Sequence, residues 1–302
     1  LWIAGILTAS NFQQWYRAVS MGAARSQEHL FMIFNDPDRI AALTPLNPFE
    51  RSADGRPKAP DDLLERLKLV TPDEAWGVLE RGHNYHYQFE GDWKVHLQPD
   101  VPLVGRVVTA SYVPLRPDFN DVVQADGAEN GRSGGQNTWI IDQLQPGDVL
   151  VVDLFGKVED GTFIGDNLAT AARARTGTGM IIDGGIRDSI RINEFKDFPV
   201  YCRGIHPSAI YEVTLREVNG PIRIGNATVM PGDAVLGTPA GVTFIPPHLL
   251  QLVVEKSEDT RQRDVFGKLR LAEGTYTSGD IDVSTWQEHI EADFQEWMKT
   301  AE

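Results

Sequence analysis

From residue 103 onward the chain switches between two hydrophobic rhythms. Residues 103–113 and 199–203 read as strands, and the unbroken apolar run 149–154 marks a strand buried on both faces, since a half-exposed strand would alternate with polar residues. Residues 138–144 predict a short helix before the Pro146-Gly147 turn. Residues 168–175 and 188–195 predict two further helices, with a strand over 179–183 between them. Strand, helix, strand, helix, strand with short crossovers places parallel strands side by side and gathers the loops at their carboxyl ends into one crevice. The glycine-punctuated stretch 156–165 reads as a loop, and residues 222–245 as β-rich. Pro231-Gly232-Asp233 echoes Pro146-Gly147-Asp148. Both tripeptides precede apolar strands, so the echo is read as shared turn chemistry rather than as an internal repeat.

The first seventy residues follow a different pattern. Helices are expected over 12–24 and 28–34, and then Pro45, Pro48, Pro57 and Pro60 with Asp54-Gly55 argue against regular structure between 35 and 60. Leu63, Leu64, Leu67 and Val70 have helical spacing, and Thr71-Pro72-Asp73-Glu74 opens a second helix running through Leu79. Beyond Pro246-Pro247 a helix carries Leu249, Leu250, Leu252 and Val253 into the charged stretch 255–268. A tail with Trp286, Phe294 and Trp297 needs an apolar surface to cover it, in this subunit or in a neighbour. The expected organisation is an N-terminal helical and irregular extension (1–60), a main α/β domain (61–282) and a C-terminal helical tail (283–302).

Composition narrows the function. With 41% apolar and 24% charged residues over 302 positions the chain has ordinary globular composition. Its 28 Lys+Arg against 43 Asp+Glu give a net charge of −15, which repels phosphate backbones, so no nucleic-acid partner is expected. Cys202 is the only cysteine, which excludes intramolecular disulfides and multi-thiolate zinc sites. The opening apolar run 1–9 is too short to span a bilayer. A cytoplasmic protein without a membrane partner is expected, with a removed export signal as the alternative.

Two glycine-led segments could carry chemistry. Asp183-Gly184-Gly185-Ile186-Arg187-Asp188 lies between a buried strand and a helix, where glycines let the backbone approach a ligand and Arg187 offers a cation. An aspartate capping a helix beside its arginine would look the same. Gly165-Asp166-Asn167-Leu168 follows the preceding strand and also opens a helix. If the two strands are neighbours, Asp166, Arg187 and Asp188 share one crevice, and carboxylates with a cation can hold a hydrated divalent metal against an oxyanion.

These motifs, with Pro146-Gly-Asp-Val-Leu-Val-Val-Asp153, Phe198-Pro-Val200, Pro231-Gly-Asp233 and Gly241-Val-Thr-Phe-Ile-Pro246, resemble the RraA-like family over residues 61–282. The family includes metal-dependent class II pyruvate aldolases and a regulator of ribonuclease activity. The resemblance implies a layered βαβ sandwich with central parallel strands and a β-rich half, assembled as a homotrimer or hexamer. It also implies Mg2+ or Mn2+ bound directly by Asp188. Arg187 would bind the pyruvyl group and steady its enolate, and Asp166 would touch metal-bound water, standing where the aldolases have Glu. Backbone amides of the Gly165 loop, around Asn167 and Leu168, would meet the substrate carboxylate. A further acid from a neighbouring subunit falls on Asp264, with Glu258 as the fallback. The implied activity is cleavage of a 4-hydroxy-2-keto acid through a metal-stabilised enolate, with related decarboxylation of oxaloacetate. The alternatives are a lyase or isomerase acting on a keto sugar or sugar acid, and a non-catalytic regulator. Asp166 favours the enzyme, because the regulator branch lacks the loop's acid. The extension and the insertion 83–93 depart from both branches. His83 and His86 in that insertion, and Gln136 in Gly134-Gly135-Gln136-Asn137, are further candidates for site residues.

Overall fold

The computed structural model describes residues 36–300, so the helices expected over 12–24 and 28–34 lie outside the described residues. The proline-rich passage is not wholly irregular. It contains α1 (Pro37–Leu43), with Asp36 as its cap accepting from the Arg39 N–H at 3.0 Å. Pro37 occupies the first helical turn, where a missing N–H costs nothing. A tight turn follows, closed by a bridge between Arg51 and Pro57. Next come α2 (Asp61–Leu67), which buries Leu63, Leu64 and Leu67, and α3 (Pro72–His83). The helix starts where expected, Thr71 and Glu74 form a capping box there, and α3 runs four residues past Leu79 before Asn84 ends it in the left-handed conformation.

The insertion forms β1 (Phe89–Glu90) and leads to β2 (Val95–Leu97). Then follow β3 (Leu103–Pro114), α4 (Pro117–Glu129), α5 (Gln136–Ile141), β4 (Asp148–Ile164), α6 (Asp166–Thr176), β5 (Met180–Ile186), α7 (Ser189–Asn193) and β6 (Val200–Ile205). The expected strand–helix alternation is therefore present. The β-rich half supplies β7 (Val213–Val218), β8 (Ile222–Ile224), β9 (Ala227–Val229), β10 (Ala234–Thr238) and β11 (Gly241–Ile245). The long α8 (Pro247–Ala272), the short α9 (Ser278–Ile281) and α10 (Glu288–Met298) complete the described chain.

A mixed sheet runs in the order β1-β11-β10-β3-β4-β5-β6-β2, with β7 paired to the second half of β3. The neighbours β3, β4, β5 and β6 are parallel, which fixes the crevice at their carboxyl ends. Both faces of these strands are buried. Leu150, Val152, Met180 and Ile182 join a core under α5, α6 and α7, whereas Val149, Val151, Ile181 and Tyr201 join one under β8 and β9. The stretch 156–165 is not a free loop. It stays extended as the second half of β4, with left-handed residues at Phe155, Gly156 and Asp160 and successive register shifts against β5. The aromatic tail finds its cover within the chain, where Ile290, Phe294 and Trp286 pack on Phe266 of α8.

Candidate active site

The tips of β4 and β5 are adjacent. Ile164 pairs with Ile186 in parallel register, and the Arg187 N–H donates to the Ile164 carbonyl at 3.0 Å. One residue further on, Gly165 is buried beneath the side chains of Arg187 and Asp188. A Cβ built there would collide with Asp188 Oδ2 and would lie 2.9 Å from Arg187 Nε. The Asp166 N–H points at the same Asp188 oxygen at 3.4 Å. Asp166, Arg187 and Asp188 are thus brought together, as adjacency of the strands requires.

Asp188 is not an ordinary helix cap. It precedes α7 in the left-handed conformation (φ 54, ψ 28), and its side chain makes no capping hydrogen bond. A non-glycine residue held in that region costs on the order of 1–2 kcal/mol, and aspartate tolerates it better than most. The Asp188 carboxylate is 41% exposed and the Arg187 side chain 43%, and their Nε–Oδ2 separation is 3.4 Å. Arg187 is therefore not sequestered in an internal ion pair. Its guanidinium stands at the strand tip beside the Asp188 carboxylate and in contact with solvent.

The other expected site residues fall in different places. Asp166 is the first residue of α6, and its Oδ1 accepts from the Asn167 N–H at 2.9 Å. That amide therefore has the neighbouring Asp166 side chain as its partner within the chain. Leu168 is half-buried against the core under α6. Gln136 is buried and bridges Asn120 Oδ1 (3.0 Å) and the Leu215 N–H (2.6 Å). Its neighbour Asn137 donates to the Phe163 carbonyl at 2.8 Å and so steadies the strand just before Gly165. His83 ends α3, and His86 lies 3.5 Å from Glu80 beyond it. The helix α3 that carries His83 and Glu80 packs on α8 and β11. Glu258 is engaged within the chain by Arg66, at 2.8 and 2.7 Å. Asp264 is exposed on α8 and pairs with Lys268 at 3.2 Å. Among the described residues no hydrogen bond or ion pair links it to β5. Cys202 is fully buried with its thiol pushed up to about 12 by burial, as an inert thiol should be. His206 bonds Ser208 Oγ at 2.9 Å.

One group near the site is not evident from the sequence. Asp183, at the start of the glycine-led segment, is clamped by Arg203 at 2.6 Å. Arg203 in turn reaches Glu90 at 2.8 Å and lies 4.1 Å over the Trp93 ring. The insertion thus braces the strand that delivers Arg187 and Asp188. Beside this clamp, burial and then repulsion from Asp183 raise the carboxyl pKa of Asp153. The only hint in the sequence was an acid and a tryptophan within an insertion of unassigned role.

Among the described residues no group of three or more His, Cys, Asp or Glu side chains converges as a metal cage, and no helix is long and apolar enough to cross a membrane. The oxygen-only donor set at the β4 and β5 tips fits Mg2+, which keeps several waters and needs only one or two carboxylates.

Comparison with known proteins gives a consistent pattern. The family model RraA-like (Aldolase/RraA) matches residues 77–244. A protein of Halalkalibacterium halodurans, provisionally named 4-hydroxy-4-methyl-2-oxoglutarate aldolase, is 30% identical over 160 residues, 52% of this chain and 74% of that protein. A protein of the same provisional name from Shewanella oneidensis is 32% identical over 105 residues, 35% of this chain and 63% of that protein. The crystal structure of Streptomyces coelicolor RraAS2, described as an unusual member of the RNase ES inhibitor RraA family, superposes with a TM-score of 0.58. It is 26% identical and covers 74% of this chain and 100% of its own.

Proposed function

Because the chain belongs to the RraA-like family, we propose that it is a divalent-metal-dependent carbon–carbon lyase that cleaves a 4-hydroxy-2-keto acid and releases pyruvate as its enolate. The observation that carries this reading is the packing of Arg187 and Asp188 over Gly165, which leaves a half-exposed cation and carboxylate at one point beside Asp166.

Asp188, with Asp166 acting through water, would hold Mg2+ or Mn2+. Such an ion supplies Lewis-acid polarisation of a ketone. Arg187 binds the α-keto carboxylate through its planar fork and faces the negative charge that develops on the keto oxygen as the C3–C4 bond breaks. A fixed guanidinium suits this task because it stays charged at every working pH. The C4 hydroxyl must lose its proton as that bond breaks. In this reading Asp166 would orient the water that takes that proton. Asp264 would act in the same way from a neighbouring copy, in a trimer or hexamer whose site is completed between subunits. Decarboxylation of oxaloacetate breaks the equivalent bond and leaves the same enolate. A role for Lys as a Schiff base is not required.

The test is turnover of a panel of 4-hydroxy-2-keto acids and oxaloacetate with Mg2+. Arg187→Ala and Asp188→Ala should each lower kcat by about 10²–10³-fold while circular dichroism stays unchanged. Ordinary activity in either variant would displace the site. Likeness to RraAS2 also allows a regulator of another enzyme. Absence of turnover across the panel, with one co-purifying protein, would favour that reading.

A further inference from the structure

The turns Pro146-Gly147-Asp148 and Pro231-Gly232-Asp233 are built alike but completed differently. In each the glycine is left-handed, with φ of 81 and 84, and the aspartate is 2% exposed. Each aspartate accepts from the backbone N–H three residues earlier, Gln145 at 2.8 Å and Met230 at 2.9 Å. Asp148 also receives the guanidinium of Arg56, at 2.8 and 3.1 Å. Among the described residues no Lys or Arg pairs with Asp233, whose side chain accepts from the Met230 N–H. Beside it instead lies a cavity of about 220 Å³, walled by Leu43, Leu46, Tyr85, Met230, Pro247 and His248, and no Lys or Arg of the described residues lines it. Burial raises the Asp233 carboxyl from 3.8 to about 8. The titratable groups facing it across the cavity are Tyr85 and His248, whose Oη and Nε2 are 3.5 Å apart. Burial and then the nearby His83 lower the His248 pKa, so this side chain brings no positive charge at neutral pH.

We propose that this cavity binds a compact organic cation, an ammonium or amidinium on a small apolar body, with Asp233 as its counter-ion. An anion would meet no fixed positive charge there. A wholly apolar molecule would give the buried carboxyl no polar contact beyond the Met230 N–H it already receives. The twin turn shows which group this backbone arrangement accepts when one is supplied. The apolar wall and the Tyr85 ring suit the body of such a ligand. The cavity is smaller than the ~300–1,000 Å³ usual for drug-sized molecules, which keeps the ligand small. Binding transfers the Asp233 proton to solvent and leaves a carboxylate paired with the cation.

The experiment is calorimetric titration of the full chain with benzylammonium, benzyl alcohol and benzoate, in two buffers of different ionisation enthalpy. Benzylammonium should bind with release of a proton, at least tenfold more tightly than the alcohol, and benzoate should not bind. Asp233→Asn keeps an acceptor for the Met230 N–H and should lose both the tenfold preference and the proton release. Leu46→Trp alters a lining residue that is 64% exposed, so it obstructs the cavity without burdening the core, and it should abolish binding even if the Asp233 variant does not fold. Equal affinity for the alcohol, undiminished binding in either variant, or no binding of benzylammonium would overturn the assignment. None of these readouts depends on turnover at the β5 tip.

Discussion

Gly165 leaves no room for a side chain, because the carboxylate of Asp188 and the guanidinium of Arg187 occupy the space a Cβ would take. Gly165→Ala should therefore displace both groups and lower kcat at least tenfold, while thermal unfolding shows a folded protein. Retention of full kcat would mean that their placement over the glycine does not matter. A second prediction concerns Asp233. Its folded-state pKa of about 8 lies above the usual 3.8, so between those values the native state holds a proton that the unfolded state has lost. Stability then falls as pH rises through about 4 to 8 and levels off above. Asp233→Asn should remove that decline from the denaturation profile, seen as the difference between variant and parent curves. At this scale the sequence singled out Arg187, Asp188 and Asp166 only through the pairing of two glycine-led segments on neighbouring strands, since each segment alone reads equally well as a helix cap. It said nothing about Gln136 being buried between Asn120 and Leu215, since an amide side chain serves packing and ligand binding equally well.

The turn at residues 51–57 is tied to the start of β4 by a single buried ion pair, Arg56 to Asp148, with side chains 4% and 3% exposed. Removing one partner leaves a buried charge uncompensated, which costs more than the pair is worth. Arg56→Ala should lower stability by about 3–5 kcal/mol in urea unfolding, and Arg56→Ala with Asp148→Asn should recover part of the loss. If the single variant is as stable as the parent, the turn is not anchored there. The parallel strands were legible because burial on both faces leaves an unbroken apolar run, and α3 was legible from its capping box. Other elements were not, α4 and the second half of β4 among them. Of the thirteen residues of α4 only Val123 and Gly127 are buried, so its sequence carries almost no helical stripe. The second half of β4 passes through left-handed residues, and its glycines read as loop punctuation although the backbone remains extended.

At the scale of the molecule, each chain carries Arg187, Asp188 and Asp166 at the β4 and β5 tips, while Asp264 is exposed on α8 and bonded to Lys268. No sequence pattern shows which acid a neighbouring copy presents, and Glu258, the fallback, is engaged by Arg66. If the site is completed between subunits, mixing Asp264→Ala chains with Asp188→Ala chains should restore a fraction of activity that neither variant shows alone. No recovery in the hybrid would place the whole site in one chain. The central claim, that this strand tip generates a pyruvate enolate with a divalent metal, is tested most directly by exchange of pyruvate methyl protons with deuterated solvent, followed by proton NMR. The expected result is rapid exchange with Mg2+, lost on chelation and in both Arg187→Ala and Asp188→Ala. Exchange at the parent rate in Asp188→Ala, or none in the parent protein with Mg2+ present, would contradict it.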